Sequence, residues 1–182
     1  VRHVEAFGDY ELSEAWTWEH QALIKARAVS GEALITARFD AIRAQTLSRR
    51  RDTARLRADV IEMRERMRRE RGRPEVGVFD LKQDPGGMVD IEFLVQYLVL
   101  RLAQRHPELV QWTDNVRLIQ TLIGATVLNE YTAHVLKHAY LIYRAAAHQL
   151  SLQAKPATVP AEKFDRLQQR IRRIWKAVFQ NR

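Results

Sequence analysis

The sequence contains no cysteine among its 182 residues, which excludes disulfide bonds and thiolate ligands for a metal ion. It is also poor in the two residues that interrupt helices, with seven glycines and five prolines. Leu, Ala, Arg, Glu and Gln dominate instead, and these residues have high helix propensity. The composition therefore predicts a helical protein of one domain, or of one domain and part of another, in a reducing compartment such as the cytoplasm.

Long apolar runs are absent as well. No stretch approaches the roughly 20 residues that a helix needs to span a bilayer, so the sequence predicts no contact with a membrane. Residues 1–10, VRHVEAFGDY, lack the apolar core of a signal peptide. They also lack an initiator methionine, so we expect this chain to be a fragment of a longer protein.

Positive charge is concentrated in one segment. The formal net charge is +8, and residues 43–73 hold twelve arginines against five acids. Such an excess could face phosphate groups or a partner protein. However, the segment has no interleaved aromatic residues and no helix-turn-helix signature, and its acids stand at helix-pairing offsets from arginines, as Glu62 does from Arg66. The pattern favours a solvated helix and argues against nucleic acid as a partner.

Apolar residues that recur every three or four positions predict an all-α bundle. Helices are expected over residues 5–29 with a break near Ser13, and over 32–47, 52–71, 88–104, 115–125, 130–154 and 161–179. Residues 75–87 are the expected place for any short strand, and residues 155–160 (KPATVP) are expected to be a linker.

The ends of these helices carry recognisable signals. Gly31 is expected to cap the first helix at its C-terminus, and Pro74 to close the third. Asp114 or Thr113 is expected to cap the helix over 115–125, and Asn129 the helix after it. Leu34, Ile35, Phe39 and Ile42 are expected to form the inward apolar stripe of the second helix. Trp16 and Trp18 are expected to pack in the core or at an interface.

The densest cluster of unusual residues is DLKQDPGGMVDIEF, residues 80–93. Its Asp90 and Glu92 mimic the paired acids with which nucleotidyltransferases hold two Mg²⁺ ions. Those acids lie two apart on a strand, where both side chains point the same way. Here the pair begins an apolar helix, where residues two apart point in different directions. We therefore expect no self-contained metal site in this stretch.

Two other interpretations of the stretch stay open. Gly86-Gly87 could offer backbone N–H groups to a phosphate, provided that a metal ion or Lys82 offsets the nearby acids. Alternatively, the stretch is only a helix start with Asp90 at the dipole, and Asp90→Asn then loses about 0.3–1 kcal/mol of stability. Glu92 lies among apolar neighbours and shares a face with Gln96, so this polar stripe is expected to have buried partners.

A second possible metal site lies on the long helix after residue 129. Glu130, His134 and His138 repeat every four residues and so share one helical face. No fourth ligand is evident nearby, and we expect no zinc there.

Four segments follow one another in an order that is typical of a known family. They are residues 15–31 (AWTWEHQALIKARAVSG), 62–67 (EMRERM), 79–101 (FDLKQDPGGMVDIEFLVQYLVLR) and 112–119 (WTDNVRLI). The chain thereby resembles the helical module of bacterial glutamine synthetase adenylyltransferase, at the C-terminal end of that protein. The resemblance implies that residues 1–30 are the tail of its second nucleotidyltransferase domain, and residues 31–182 its C-terminal helical domain.

The resemblance also implies an activity for the intact protein. It would be a bifunctional enzyme that adds and removes AMP on glutamine synthetase to regulate nitrogen assimilation, with ATP and Mg²⁺ as cofactors. Its expected partners are glutamine synthetase and a PII-type signalling protein. The family's Gly-Ser turn, Asp-x-Asp pair and later Asp do not occur in this chain, so the fragment alone is expected to be inactive and to need no cofactor.

Candidate site residues follow from the same resemblance. Lys82, Asp90 and Glu92 are candidates for facing the active cleft, and Lys25 and Arg27 for contacting nucleotide phosphates. No catalytic set is complete and no metal ligand is assigned. The alternative function is a basic, non-catalytic helical module that binds nucleic acid.

Overall fold

A computed structural model describes residues 3–72 and 75–180, which fold into eight α-helices and one two-stranded sheet. The all-α class is therefore confirmed. The helices are α1 (Val4–Ser13), α2 (Thr17–Lys25), α3 (Ala33–Leu47), α4 (Thr53–Arg71), α5 (Met88–Leu102), α6 (Asn115–Gly124), α7 (Glu130–Leu152) and α8 (Asp165–Gln180). The strands are β1 (Val78–Asp80) and β2 (Thr158–Pro160), and short 3-10 helices cover Pro107–Val110 and Ala161–Lys163.

Helix α5 is the centre of the bundle. It is apolar almost all round, and its residues from Phe93 to Leu100 are all buried. It contacts α2, α4, α6, α7 and α8, each of which turns one apolar face towards it. Because α5 begins at the DPGG loop (residues 84–87), the unusual stretch of the sequence lies at the end of the core and not on a peripheral arm.

Several predicted helix ends are confirmed. The break after Ser13 is present, and the side chains of Asp114 and Asn129 accept hydrogen bonds from backbone N–H groups in the first turns of α6 and α7. Helix α4 ends at Arg71, and Pro74, which is expected to close it, lies outside the described residues. None of the helices in the described part of the chain is long and apolar enough to cross a membrane.

The prediction that α2 runs on to a cap at Gly31 is wrong. The helix ends at Lys25, because the Arg43 guanidinium donates hydrogen bonds to the carbonyls of Leu23 and Ile24. A side chain from α3 thus satisfies the carbonyl groups that a further turn of helix would have used.

The inward packing predicted for Leu34 and Ile35 is wrong, because both side chains are exposed. Trp16 and Trp18 are also exposed and therefore do not lie in the core of this chain, and their packing at an interface stays a prediction. Helix α2 instead turns His20, Gln21, Leu23 and Ile24 inward, and α3 buries only Arg43, Thr46 and Leu47 in its last turns.

Residues 155–160, predicted to be a linker, contain strand β2. It pairs antiparallel with β1, with Val78 opposite Pro160 and Phe79 opposite Val159. Three-residue strands leave no periodic signal in a sequence, and this pair joins segments almost eighty residues apart. The sheet anchors the segment before α5 next to the start of α8.

Candidate functional site

The two acids at the start of α5 contact different neighbours. Asp90 is only 2% exposed, and its Oδ1 lies 2.7 Å from Arg64 Nε and 3.3 Å from Arg68 Nη2. Its Oδ2 accepts a hydrogen bond from the backbone N–H of Gly86 at 2.7 Å. Asp90 was a candidate for facing the cleft, but it points into the interior, where its carboxylate supplies a counter-charge for the buried Arg64 guanidinium.

The glycine loop is built around this carboxylate. The Gly86 N–H is taken by Asp90, and the Gly87 N–H donates to the carbonyl of Asp84 at 2.9 Å. Gly86 has φ +86°, and a Cβ atom there would lie 2.6 Å from the carbonyl oxygen of Gln168 in α8. Both amides are therefore used inside the fold and neither is available to a phosphate, which argues against the phosphate interpretation of this stretch.

Glu92 sits in a different environment, where four helices meet. Its Oε1 lies 2.6 Å from the Nζ of Lys25 at the end of α2. The same oxygen accepts hydrogen bonds from Asn115 Nδ2 and from the Tyr140 hydroxyl, both at 3.2 Å. The side chains of Lys25 and Glu92 are 35% and 25% exposed, so the pair is open to solvent on one side. We call Lys25, Glu92, Asn115 and Tyr140 the α5 polar cluster.

Burial and charge fix the protonation of the cluster's tyrosine. Burial first, and then the negative charge of Glu92, raises the pKa of Tyr140, so its hydroxyl stays protonated and donates to the carboxylate. Lys25 and Glu92 thus present an ammonium and a carboxylate side by side at a partly open position. Such a pair can contact a charged ligand or a charged side chain of an adjoining domain.

The polar stripe predicted on α5 has the buried partners that were expected. Gln21 Nε2 donates to Gln96 Oε1 at 3.0 Å, one turn from the contact between Lys25 and Glu92. Gln21 and Lys25, one turn apart on α2, therefore contact Gln96 and Glu92, one turn apart on α5. In the sequence, the signal was the spacing of Glu92 and Gln96 among the apolar residues of α5.

Arg43 also positions the cluster, and sequence reasoning missed this role. Its buried guanidinium donates to the carbonyls of Leu23 and Ile24 at the end of α2, and to those of Val110 and Trp112 before α6. It thereby ties together the segments that carry Lys25 and Asn115. Burial lowers the pKa of Arg43. The available signal was its place next to Ile42 on the apolar face of α3.

The remaining candidates are not part of this cluster. Lys82 and Arg27 are both exposed. The backbone N–H of Lys82 donates to Asp80 Oδ1 at 2.8 Å within the turn before the DPGG loop. Of the five candidates, the structure therefore brings together Lys25 and Glu92 and keeps Asp90, Lys82 and Arg27 apart from them.

Part of the arginine-rich segment serves the fold. Arg64 and Arg43 are buried, the first against Asp90 and the second against backbone carbonyls at the end of α2. Arg51 donates hydrogen bonds to His20 Nδ1 at 3.1 Å and to the carbonyl of Thr46 at 2.9 Å. Burial lowers the pKa of Arg51 to about 10. The segment is thus less of a uniform basic surface than its charge count indicates.

Residues 3–72 and 75–180 hold no group of three or more His, Asp or Glu side chains that could bind a metal ion. The exposed rings of His134 and His138 stack 5.9 Å apart on α7. Asp90 and Glu92 contact different helices and cannot share an ion.

Comparison with known proteins assigns the two parts of the chain to nucleotidyltransferase families. Residues 54–177 match the family described as GlnD PII-uridylyltransferase, and residues 1–42 match the family described as glutamate-ammonia ligase adenylyltransferase. The chain is also 45% identical, over 181 residues, to the bifunctional glutamine synthetase adenylyltransferase/adenylyl-removing enzyme of Shewanella loihica. That match covers all of this chain but only 19% of the relative.

The chain therefore belongs to the glutamine synthetase adenylyltransferase family and spans about a fifth of that relative. Its residues 54–177 match the GlnD PII-uridylyltransferase family. Residues 43–53, which include the end of α3, lie between the two matched regions. The division into residues 1–30 and 31–182 stays a prediction.

Proposed function

We propose that this chain is the helical module beside the active cleft of an enzyme that adds AMP to glutamine synthetase and removes it. The identity of 45% over the whole chain, to a relative whose name states both activities, is the observation that supports this function. The chain spans about a fifth of that relative, so the reaction belongs to the longer polypeptide. The module supports the cleft and contributes to partner binding, and it does not complete a catalytic set by itself.

The α5 polar cluster is the place where the module would act. Lys25 lies in the segment that matches the adenylyltransferase family, whereas Glu92, Asn115 and Tyr140 lie in the segment that matches the uridylyltransferase family. The ion pair therefore joins the two matched parts. In our proposal, Glu92 fixes the end of α2 and holds the Lys25 ammonium where it can face nucleotide phosphates.

ATP and Mg²⁺ are the cofactors proposed for the intact enzyme. Bound Mg²⁺ would offset the charge of the phosphates and orient them for transfer. The described residues offer the ion no set of carboxylates, so its ligands would come from another part of the polypeptide. In our proposal, the Lys25 ammonium in the cluster and the exposed Arg27 after it contact the phosphates.

The proposed partners are glutamine synthetase, as the substrate protein, and a PII-type signalling protein. The proposed location is the cytoplasm, because the relative's name gives glutamine synthetase, a metabolic enzyme, as the protein that it modifies. Exposed arginines of α4, among them Arg66 and Arg69, supply a surface for an acidic patch on either partner.

The test compares the isolated chain with a chimera. In the chimera, this chain replaces the matching 181 residues of the Shewanella loihica enzyme. Transfer of radiolabelled AMP from ATP to glutamine synthetase, with Mg²⁺ present, is measured for both proteins. We expect transfer by the chimera and none above the buffer control by the chain alone. Turnover by the isolated chain, or a folded but inactive chimera, would contradict the proposal.

A further inference from the structure

The Glu92 carboxylate uses only one of its two oxygens inside the fold. Lys25 Nζ at 2.6 Å, and Asn115 Nδ2 and the Tyr140 hydroxyl at 3.2 Å, all donate to Oε1. No residue in the described part of the chain donates a hydrogen bond to Oε2. An ionised carboxylate has acceptor sites on both oxygens, so Oε2 keeps its full capacity for a donor from outside this chain.

This free oxygen is within reach of a ligand. The Glu92 side chain is 25% exposed, and Oε2 is not among the buried polar atoms that lack a partner in the described residues. Gln21 Oε1 and Asn115 Oδ1, by contrast, are buried without a partner. The three donors to Oε1 come from α2, α6 and α7 and hold that oxygen between these helices. Oε2 is therefore turned to the open side of the α5 polar cluster.

The Lys25 ammonium has free capacity of the opposite kind. It carries three N–H donors, and Glu92 is its one hydrogen-bond partner among the described residues. The Lys25 side chain is 35% exposed, so the ion pair presents free donors and a free acceptor oxygen side by side. A ligand that fits must offer acceptor atoms to the ammonium and, close to them, a donor to the carboxylate.

We propose that Glu92 Oε2 binds a ribose hydroxyl of the nucleotide whose phosphates Lys25 contacts, and that Glu92 thereby selects ribonucleotides. This inference rests on the function proposed above. The donors of ATP are its ribose hydroxyls and the 6-amino group of adenine. Since the ribose is bonded directly to the phosphate chain and the base lies beyond it, the hydroxyls are the donors nearest to a cation that holds the phosphates. Acidic side chains accept hydrogen bonds from ribose hydroxyls in dinucleotide-binding folds as well.

Nucleotide binding by the chimera tests this proposal, with Mg²⁺ present and glutamine synthetase left out so that no AMP is transferred to it. Isothermal titration calorimetry gives the Kd for ATP, 2′-deoxyATP and 3′-deoxyATP. Because a hydrogen bond to a charged acceptor is lost, one of the two deoxy analogues should bind about tenfold more weakly than ATP. Glu92→Gln should reduce this preference to about threefold or less, because its amide oxygen serves the three internal donors and leaves an uncharged NH₂ group in place of Oε2.

The ratio of two Kd values separates the role of Oε2 from that of the ion pair. Lys25 contacts the phosphates of every analogue, so a displaced ammonium weakens the binding of ATP and of deoxyATP alike. Tyr140→Phe removes a donor to Oε1 only, and Glu108→Gln changes a carboxylate outside the cluster. Both control variants should keep the tenfold preference. Purine riboside triphosphate lacks only the 6-amino group of ATP, and its Kd relative to that of ATP should not change in Glu92→Gln.

Three outcomes would overturn the ribose contact: equal affinity of the unsubstituted chimera for ATP and both deoxy analogues, a tenfold preference that survives Glu92→Gln, or an effect of Glu92→Gln on the preference for the 6-amino group instead. The first of these needs no variant and so does not depend on whether Glu92→Gln folds. A chimera that transfers AMP without a ribose preference contradicts this inference alone. A chimera that loses its ribose preference in Glu92→Gln but transfers no AMP contradicts the proposed function alone.

Discussion

Lys25 Nζ lies 2.6 Å from Glu92 Oε1, and this contact joins residues 67 positions apart in the chain. It links the last residue of α2 to the central helix, next to hydrogen bonds from Asn115 and Tyr140 to the same oxygen. Since α2 belongs to the segment that matches the adenylyltransferase family, the contact connects the two matched parts of the chain. Its disruption should therefore affect the activity of the whole enzyme more than the stability of the chain.

Glu92→Gln tests the importance of this contact for activity. Glutamine keeps the shape and still accepts hydrogen bonds, and the ion pair is partly exposed, so the chain should lose about 1 kcal/mol or less of its free energy of unfolding. In the chimera, AMP transfer should fall about tenfold, which corresponds to about 1.4 kcal/mol in the activation barrier. Denaturant unfolding of the chain and initial rates of the chimera measure the two effects. Glu108→Gln, which changes a carboxylate that contacts His106 outside the cluster, is the control and should leave the rate unchanged.

The contact between Arg64 and Asp90 should behave in the opposite way. Asp90→Asn leaves the buried Arg64 guanidinium without its counter-charge and should cost about 3–5 kcal/mol, well above the loss expected for a dipole partner at a helix start. The matched control is Glu70→Gln, which removes the fully exposed ion pair with Arg66 and should leave the unfolding curve unchanged. Urea unfolding of both variants measures the difference. Equal curves for the two variants would show that Asp90 acts only through the helix dipole.

Two glycines with positive φ separate backbone strain from packing against α8. Gly77 has φ +78° and open space around a Cβ atom, so Gly77→Ala should cost about 1 kcal/mol from its left-handed conformation alone. Gly86 has φ +86° and the Gln168 carbonyl 2.6 Å from the Cβ position, so Gly86→Ala should cost about 1–3 kcal/mol more than Gly77→Ala. Thermal unfolding of the two variants measures the difference. Equal losses would mean that α8 moves freely away from the loop.

His20 should make stability depend on pH. Burial lowers the pKa of His20 to about 4 from its ordinary 6.5, while Nδ1 accepts a hydrogen bond from Arg51 and Nε2 donates to the carbonyl of Glu11. Between these pKa values the unfolded chain binds a proton that the folded chain does not, so stability falls as pH is lowered from about 6.5 to about 4. The full effect is about 3 kcal/mol.

The measurement compares urea unfolding of the wild type and of His20→Gln from pH 7 to pH 4. The difference between the two curves isolates His20 from other groups, such as Glu11, whose pKa burial raises. The wild type should lose more stability than the variant over this range. Parallel curves would show that folding does not lower the pKa of His20.

Periodicity and capping signals were sufficient to predict most helices of this bundle. The apolar run of α5 predicts a central helix whatever surrounds it, and Asp114 and Asn129 mark the starts of α6 and α7 through hydrogen bonds within one turn. The repeated spacing of Glu92 and Gln96 predicts buried polar partners on α5. Each of these inferences depends on residues a few positions apart in the chain, whose relative placement follows from the geometry of the helix itself.

Only the tertiary structure decided which residues meet. Asp90 and Glu92 look alike in the sequence, but the neighbouring helices bring Arg64 to the first and Lys25 to the second. The role of Arg43, the pairing of β1 with β2 and the exposure of Trp16 likewise depend on contacts between distant segments. The sequence by itself determined the helices and their apolar faces, because these follow from local periodicity and propensity. Partners, burial and the α5 polar cluster came from the packing of those helices, since the free energy of a buried charge depends on what lies across the interface.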